Sequence, residues 1–226
     1  VVQRRRTGWG EGHPEGDVNA AIRAGLREIS RNRSLHRPII RVSLSVFAAA
    51  SIAALLPALA ADELGLGSRG YGLLGACQGV GSVVAVWTLP RLRAARRPER
   101  AAALSGIVWT LGAVLLASTE RVWLAGLGVV LCGTGWMGVI NTLYSNYMVE
   151  LPGWMKGRGA SMVMLNVWLG TSAGAVVWGA VASSTDVRTA LWWAAACNVA
   201  IVTVSPAVLR VHAPALVAHG DGAVAT

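Results

Sequence analysis

Six apolar runs, each long enough to cross a lipid bilayer, constrain this chain more than any other feature. A helix spanning the hydrocarbon core needs about 20 mostly apolar residues. The runs are Pro38–Ala61, Gly70–Pro90, Ala101–Ser118, Val122–Val149, Gly159–Ser183 and Thr189–Leu209. Short polar breaks separate them. Asp62-Glu63 with Gly65 and Gly67 ends the first, and Pro90 with an arginine run ends the second. Thr119-Glu120-Arg121, Pro152-Gly153 and Thr185-Asp186 punctuate the rest. The expected fold class is therefore an all-α membrane protein of six transmembrane helices.

Charge supplies the orientation. Of 226 residues 14% are charged, against about 25% in a soluble domain. Mean hydropathy is +0.52. The net charge of +9 would ordinarily raise nucleic acid as a partner. Here the cations sit in blocks between apolar runs, so a lipid surface is the partner they imply and nucleic acid is not. Nine arginines lie at or before Arg41, and Arg91, Arg93, Arg96, Arg97 and Arg100 follow the second run. Lys156, Arg158 and Arg210 complete seventeen of the twenty basic residues on one side of an alternating six-helix topology. Arg69, Arg121 and Arg188 lie on the other, beside Asp62, Glu63, Glu120 and Asp186. Basic loops stay in the cytoplasm. A multi-pass inner-membrane protein with both termini cytoplasmic follows.

The flanks read separately. Residues 1–16 are expected to be a flexible basic linker and 211–226 a disordered cytoplasmic tail. Between 17 and 37, Asp17 can cap a helix whose Val18, Ile22, Leu26 and Ile29 oppose Arg23, Arg27, Glu28 and Arg31. Such a basic amphipathic helix suits the inner leaflet. The early arginines are not followed by the apolar core of a signal peptide.

A run of motifs then resembles the major facilitator superfamily of transporters. Ala24-Gly25-Leu26-Arg27-Glu28, leading through Arg33-Ser34-Leu35-His36-Arg37 into the first run, looks like the exit of that family's central loop. Leu66-Gly67, then Gly70-Tyr71-Gly72-Leu73-Leu74-Gly75-Ala76 and Gly79-Val80-Gly81, is similar to the opening of its eighth helix. Pro152 followed by Lys156-Gly157-Arg158-Gly159-Ala160 looks like the loop before its eleventh. The branch most resembled is the enterobactin-exporter-like group of bacterial efflux proteins. The likeness covers about residues 20–210 and departs in that the second six-helix half alone is matched, with Val1 falling inside the loop that joins the halves. It implies one half of a transporter bundle built from two three-helix inverted repeats, whether as a truncated or split gene or a fragment of a longer chain.

Individual side chains fit that expectation. Thr134, Gly138, Asn141, Ser145 and Met148 share one stripe of the fourth run, with Tyr144 beside it. Polar groups inside the hydrocarbon must face the bundle interior or a watery cavity. Asn141, Tyr144 and Ser145 are thus solute-cavity candidates, joined by Gln78 and Asn166; helix–helix hydrogen bonds are the competing role. The third run offers Ser105 and Thr110 and the sixth Asn198, Thr203 and Ser205, which reads as lipid-facing support. Gly72, Gly75, Gly79 and Ser82, and again Gly170 and Gly174 continued by Trp178, form small-residue stripes that let helices approach closely. In the resembled family those two helices meet the other half; packing among the six helices alone is the other reading. Tyr147 and Trp154 read as interface anchors.

The resemblance further makes Arg91, Arg93, Arg96 and Arg97 a cytoplasmic gating loop, with Glu150 placed to pair with Lys156 or Arg158. Topology alone could equally account for the arginines. Enzyme chemistry finds no motif: the sequence lacks paired carboxylates, metal-ligand spacing, a phosphate loop and a nucleophile elbow. Cys77, Cys132 and Cys197 sit in apolar runs as small buried hydrophobes. No cofactor or metal is implied. The sequence supports export of a small organic solute, such as a drug or siderophore, by alternating access. The partners would be lipid and an N-terminal half or a second copy. A non-transporting half-transporter remnant or scaffold is the alternative.

Overall fold

The computed structural model describes residues 33–95, 98–151 and 156–208, and from Arg37 onward they belong to one unit. The chain is a bundle of six helices: α1 Arg33–Ala58, α2 Gly67–Ala95, α3 Pro98–Ser118, α4 Val122–Glu150, α5 Lys156–Ser184 and α6 Val187–Val208. Each contains a stretch long and apolar enough to cross a membrane, from Ile39–Glu63 to Val187–Ser205. No strand occurs among the described residues. This is the expected architecture, because in lipid a helix satisfies all its backbone groups within itself. The linker 1–16, residues 17–32 of the amphipathic segment, Trp154 and the tail 211–226 lie outside the described residues.

Helix ends follow local chemistry. Pro57 leaves α1 one backbone donor short, and the helix widens into a π-helical turn over Leu59–Glu63. Leu64 N–H donates to Leu59 O at 3.0 Å and Leu66 N–H to Ala60 O at 2.9 Å, closing the end. Gly65 and Gly67 take φ +62° and +59°, which a side chain would oppose. At the far end of α5, Asp186 Oδ2 accepts from the Thr189 amide at 2.8 Å and caps α6. The helix carrying the second span outlasts its apolar run: the span covers Gly67–Thr88, ending near Pro90, and α2 continues through the proline to Ala95. Proline removes one hydrogen bond without forbidding the turns after it.

Interior packing is centred on α4, which lies against both α2 and α3. Glycines on two of its faces permit this. A Cβ at Gly135 would lie 2.5 Å from Trp109 N and 2.6 Å from Ser105 O of α3. One at Gly128 would lie 3.0 Å from Gly112 O. On the other face Gly133 abuts the Gln78 backbone of α2, and Gly81 abuts the backbone of Val130 and Thr134. The larger core joins Ile52, Leu56 and Leu59 of α1 to Trp109 and Leu116 of α3, Val129 and Cys132 of α4, and Leu191 and Ala194 of α6. It occupies the half of the bundle remote from the arginine loop. A smaller cluster of Val42, Val46, Ala102, Val139 and Leu143 serves the basic half.

That packing overturns the reading of α3 as lipid-facing support, whereas α6, with 28% of its span buried and Trp192, Trp193, Val199 and Val204 exposed, keeps much of its surface outward. Half of the α3 span is buried, as much as in α1. Ser105, Asn198 and Ser205 are all buried. These three polar groups point inward while Thr203 of α6 stays exposed, a difference that a count of polar residues cannot reveal. Tyr147 is likewise 1% exposed, so it is a core residue and not an interface anchor.

Candidate functional site

Every polar side chain in the hydrocarbon must find a partner, and most find one inside the bundle. Thr134 Oγ1 donates at 2.9 Å to Val130 O one turn back and lies 3.0 Å from Gly81 O of α2. Asn198 Nδ2 donates to Gly106 O at 2.9 Å and to Thr110 Oγ1 at 2.8 Å, tying α6 to α3. Trp178 Nε1 donates to Phe47 O at 2.8 Å, and the two rings stand 5.6 Å apart. These three ties hold α2 to α4, α3 to α6 and α1 to α5.

The five cavity candidates do not converge on one recess. Asn166 links α5 to α1: Ser43 Oγ donates to its Oδ1 at 2.9 Å, and its Nδ2 donates to Ile39 O at 3.2 Å. That is the helix–helix role. Asn141 turns its amide back onto Met137 O at 2.9 Å within α4. Tyr144 and Ser145 are half-buried on the same helix, and Gln78 is half-buried on α2, where its backbone meets Gly133. Of the polar stripe on α4, Thr134 and Gly138 do line a recess with Ala85, Thr88, Leu104, Ser105 and Val108. Its volume is about 100 Å³. Pockets for drug-sized ligands run to about 300–1,000 Å³, so this recess alone does not house such a solute.

The two glycine stripes part company. Gly170 and Gly174 pack within the bundle: a Cβ at Gly174 would lie 2.6 Å from Phe47 O, and one at Gly170 3.2 Å from Val46 Cγ1. The expected meeting of this stripe with another half is thereby corrected; it serves α1. Gly72, Gly75 and Gly79 have nothing within 4 Å of a Cβ. Around them Tyr71, Leu73, Val80, Val83 and Trp87 of α2 are exposed, as are Met164, Leu165, Trp168, Leu169 and Val176 of α5. Only 22% of the α2 span and 11% of the α5 span are buried, against half for α1 and α3. Spacing alone could not separate the two stripes, since both repeat at one helical turn.

Charged groups appear at both ends. Arg41, 4% exposed, pairs with Glu99 and joins the starts of α1 and α3. At the opposite end Arg188 Nε donates to Glu63 at 2.7 Å and Nη1 to Ala117 O at 3.4 Å, drawing together α1, α3 and α6. Neither pair was expected from sequence; the signal was an acid, Glu99, in the first turn of an apolar helix. Hydrogen bonds from the Thr189 side chain and amide hold the exposed Asp186 carboxyl below its ordinary value. The gating-loop candidates Arg91, Arg93, Arg96, Arg97, Glu150 and Arg158 have side chains outside the described residues, and so does the pairing of Glu150 with Lys156 or Arg158. Among the described residues no three His, Cys, Asp or Glu side chains group as metal ligands. All three cysteines are free thiols.

A family model described as "Transmembrane secretion effector", of the major facilitator type, matches residues 1–220. No curated protein matches the chain.

Proposed function

Because the chain belongs to the transmembrane secretion effector family of major facilitator transporters, we propose that its six helices form one half of an exporter for a small organic solute. The observation that carries this is the uneven burial of the bundle. α2 and α5 leave most of their surface uncovered, and the Gly72/Gly75/Gly79 stripe lies flat and empty on α2. A second six-helix bundle, on the same polypeptide or another, would cover those faces and complete the cavity whose near wall holds Thr134 and Gly138. The solute would sit between the halves near mid-membrane, with α1–α3 and α4–α6 as inverted repeats. Asn141, Tyr144, Ser145 and Gln78 are then wall residues, while Asn166 positions α5.

On this reading the enterobactin-exporter-like branch supplies the solute class, drug or siderophore, and the basic loop with Arg91 to Arg97 closes the cytoplasmic side. Both termini would lie in the cytoplasm, with the amphipathic segment 17–37 against the inner leaflet. Reconstitution tests the proposal: the chain with its companion half should move solute across liposomes, and a strictly monomeric preparation of these 226 residues should not. Flux from the monomer would refute the half-transporter reading. Inertness with every six-helix companion would favour a non-transporting scaffold, which the exposed glycine stripe would also suit.

A further inference from the structure

Two recesses of about 10 Å³ each lie side by side where α1, α3, α4 and α6 meet, sharing Ser45, Gly106, Val139 and Asn198. Each is close to the room one water needs. The second adds Ala49, Trp109 and Trp136 to that lining. The first adds Arg41 and Ser205, and its hydrogen-bond inventory does not close.

Ser205 is 3% exposed, and its Oγ is buried with no partner. Ser45 is 8% exposed, and its hydroxyl makes no hydrogen bond among the described residues. Asn198 has spent both N–H groups on Gly106 O and Thr110 Oγ1, which leaves Oδ1 as an acceptor. Arg41 offers five N–H groups, with Nη1 facing Glu99. Other hydroxyls in these helices meet burial differently. Ser105, Thr110 and Thr134 each donate to the carbonyl four residues back. Ser45 and Ser205 forgo that local bond. The buried Ser205 hydroxyl, the Ser45 hydroxyl, the Asn198 amide and the Arg41 guanidinium thus line one recess with room for about one water.

We infer that the recess between Arg41, Ser45, Asn198 and Ser205 is a resident-water site bridging the first and last helices of the bundle. The water accepts from the Ser45 and Ser205 hydroxyls and donates to an acceptor of the same lining. Buried waters of this kind typically make about three such bonds.

Two measurements decide it. A structure of the full chain in lipid nanodiscs, at a resolution that shows ordered water, should place a density peak within hydrogen-bond distance of Ser45 and Ser205. An empty recess there would overturn the inference. Thermal melts of Ser45→Ala, Ser205→Ala and the double variant give an independent sign. With the water present, each single change should lower the melting temperature by roughly 2–4 °C, about one lost hydrogen bond in a chain this size. The double should lose less than the sum, because both anchors hold the same water. In a dry recess Ser205→Ala removes a desolvated hydroxyl and raises the melting temperature, and that result would equally overturn the site. The wild-type density stands as the test if a variant fails to fold.

Discussion

Replacing Gly135 with alanine tests whether the approach of α3 to α4 is what holds the bundle. The new Cβ would lie 2.5 Å from Trp109 N, 2.6 Å from Ser105 O and 2.6 Å from Trp109 Cβ. Ordinary contact begins near 3.5 Å, so α3 must retreat by roughly 1 Å along this crossing. A gap of that size forfeits about a quarter to a half of each dispersion contact it opens. Overpacking of this kind costs about 1–3 kcal/mol. For a domain of this length each kcal/mol moves the melting temperature by about 2–4 °C, so a fall of roughly 2–12 °C is expected. Cys132 is a built-in reporter. It is 1% exposed at the same crossing, with Sγ 3.6 Å from Trp109 O, and reacts with a thiol dye as the two helices part. The assay runs in a Cys77→Ala/Cys197→Ala background, so that dye uptake reads this interface alone. Gly75→Ala is the control: nothing lies within 4 Å, and alanine is the better helix former, so its melt should be unchanged or slightly higher. Equal melts for Gly135→Ala and wild type, or a larger loss from Gly75→Ala, would refute the packing account.

Glu99→Gln should destabilise the chain by roughly 3 kcal/mol or less, since Arg41 stays buried while Glu99 keeps about a quarter of its surface. Arg41→Met/Glu99→Gln should recover most of that in denaturant titration, and a double variant no better than the single would contradict the pairing. Asn198→Leu should cost about 1 kcal/mol, the usual worth of an interhelical polar tie, and loosen α6 from α3 in hydrogen exchange. Asp186 has a folded pKa below its unfolded value, so its contribution is present above the unfolded carboxylate range and lost as pH falls through the folded one. Wild type should therefore exceed Asp186→Asn in melting temperature near neutral pH, and the gap should close in acid; a gap that widens on acidification would contradict the cap.

Much of the fold was legible because bilayer length and backbone satisfaction leave little choice. The fourth span was expected over Val122–Val149, and the helix runs Val122–Glu150. Proline marked the end of the second span better than the end of its helix: the apolar stretch stops at Thr88, while α2 tolerates one lost hydrogen bond and runs on to Ala95. Angular placement was harder. Ser105, Asn198 and Ser205 are sparse on their helices, and sparseness resembles a lipid-facing surface until the direction of each side chain is known. The α4 interface did leave a trace. Gly126 and Gly133, and again Gly128 and Gly135, recur seven residues apart, the spacing at which a helix returns to nearly the same face. Two offset pairs on one helix mean two crowded faces, and hence a central helix.

The site was less legible for a physical reason that the structure makes concrete. A polar residue in a span has two ways to be satisfied, a neighbouring helix or a watery cavity, and composition does not distinguish them. Asn166 and Asn141 were both candidates by type, Asn166 with the weaker polar stripe around it. One bonds across to Ser43 and Ile39, the other to its own helix at Met137. The difference lies in what stands opposite. α5 faces α1 closely because Gly170 and Gly174 remove two side chains from the gap, which brings Asn166 within reach of the α1 backbone. Asn141 lies close to Gly138, which lines the recess between α2, α3 and α4, and its amide bonds within its own helix. A side-chain bond to another helix commits a polar residue to structure, whereas a bond within its own helix leaves the amide able to turn toward a solute. By that criterion Asn141 keeps its claim to the cavity wall and Asn166 yields it to helix packing. Asn141→Leu should then impair transport by the assembled protein at little cost to stability, and Asn166→Leu the reverse; stability loss from both alike would defeat the criterion.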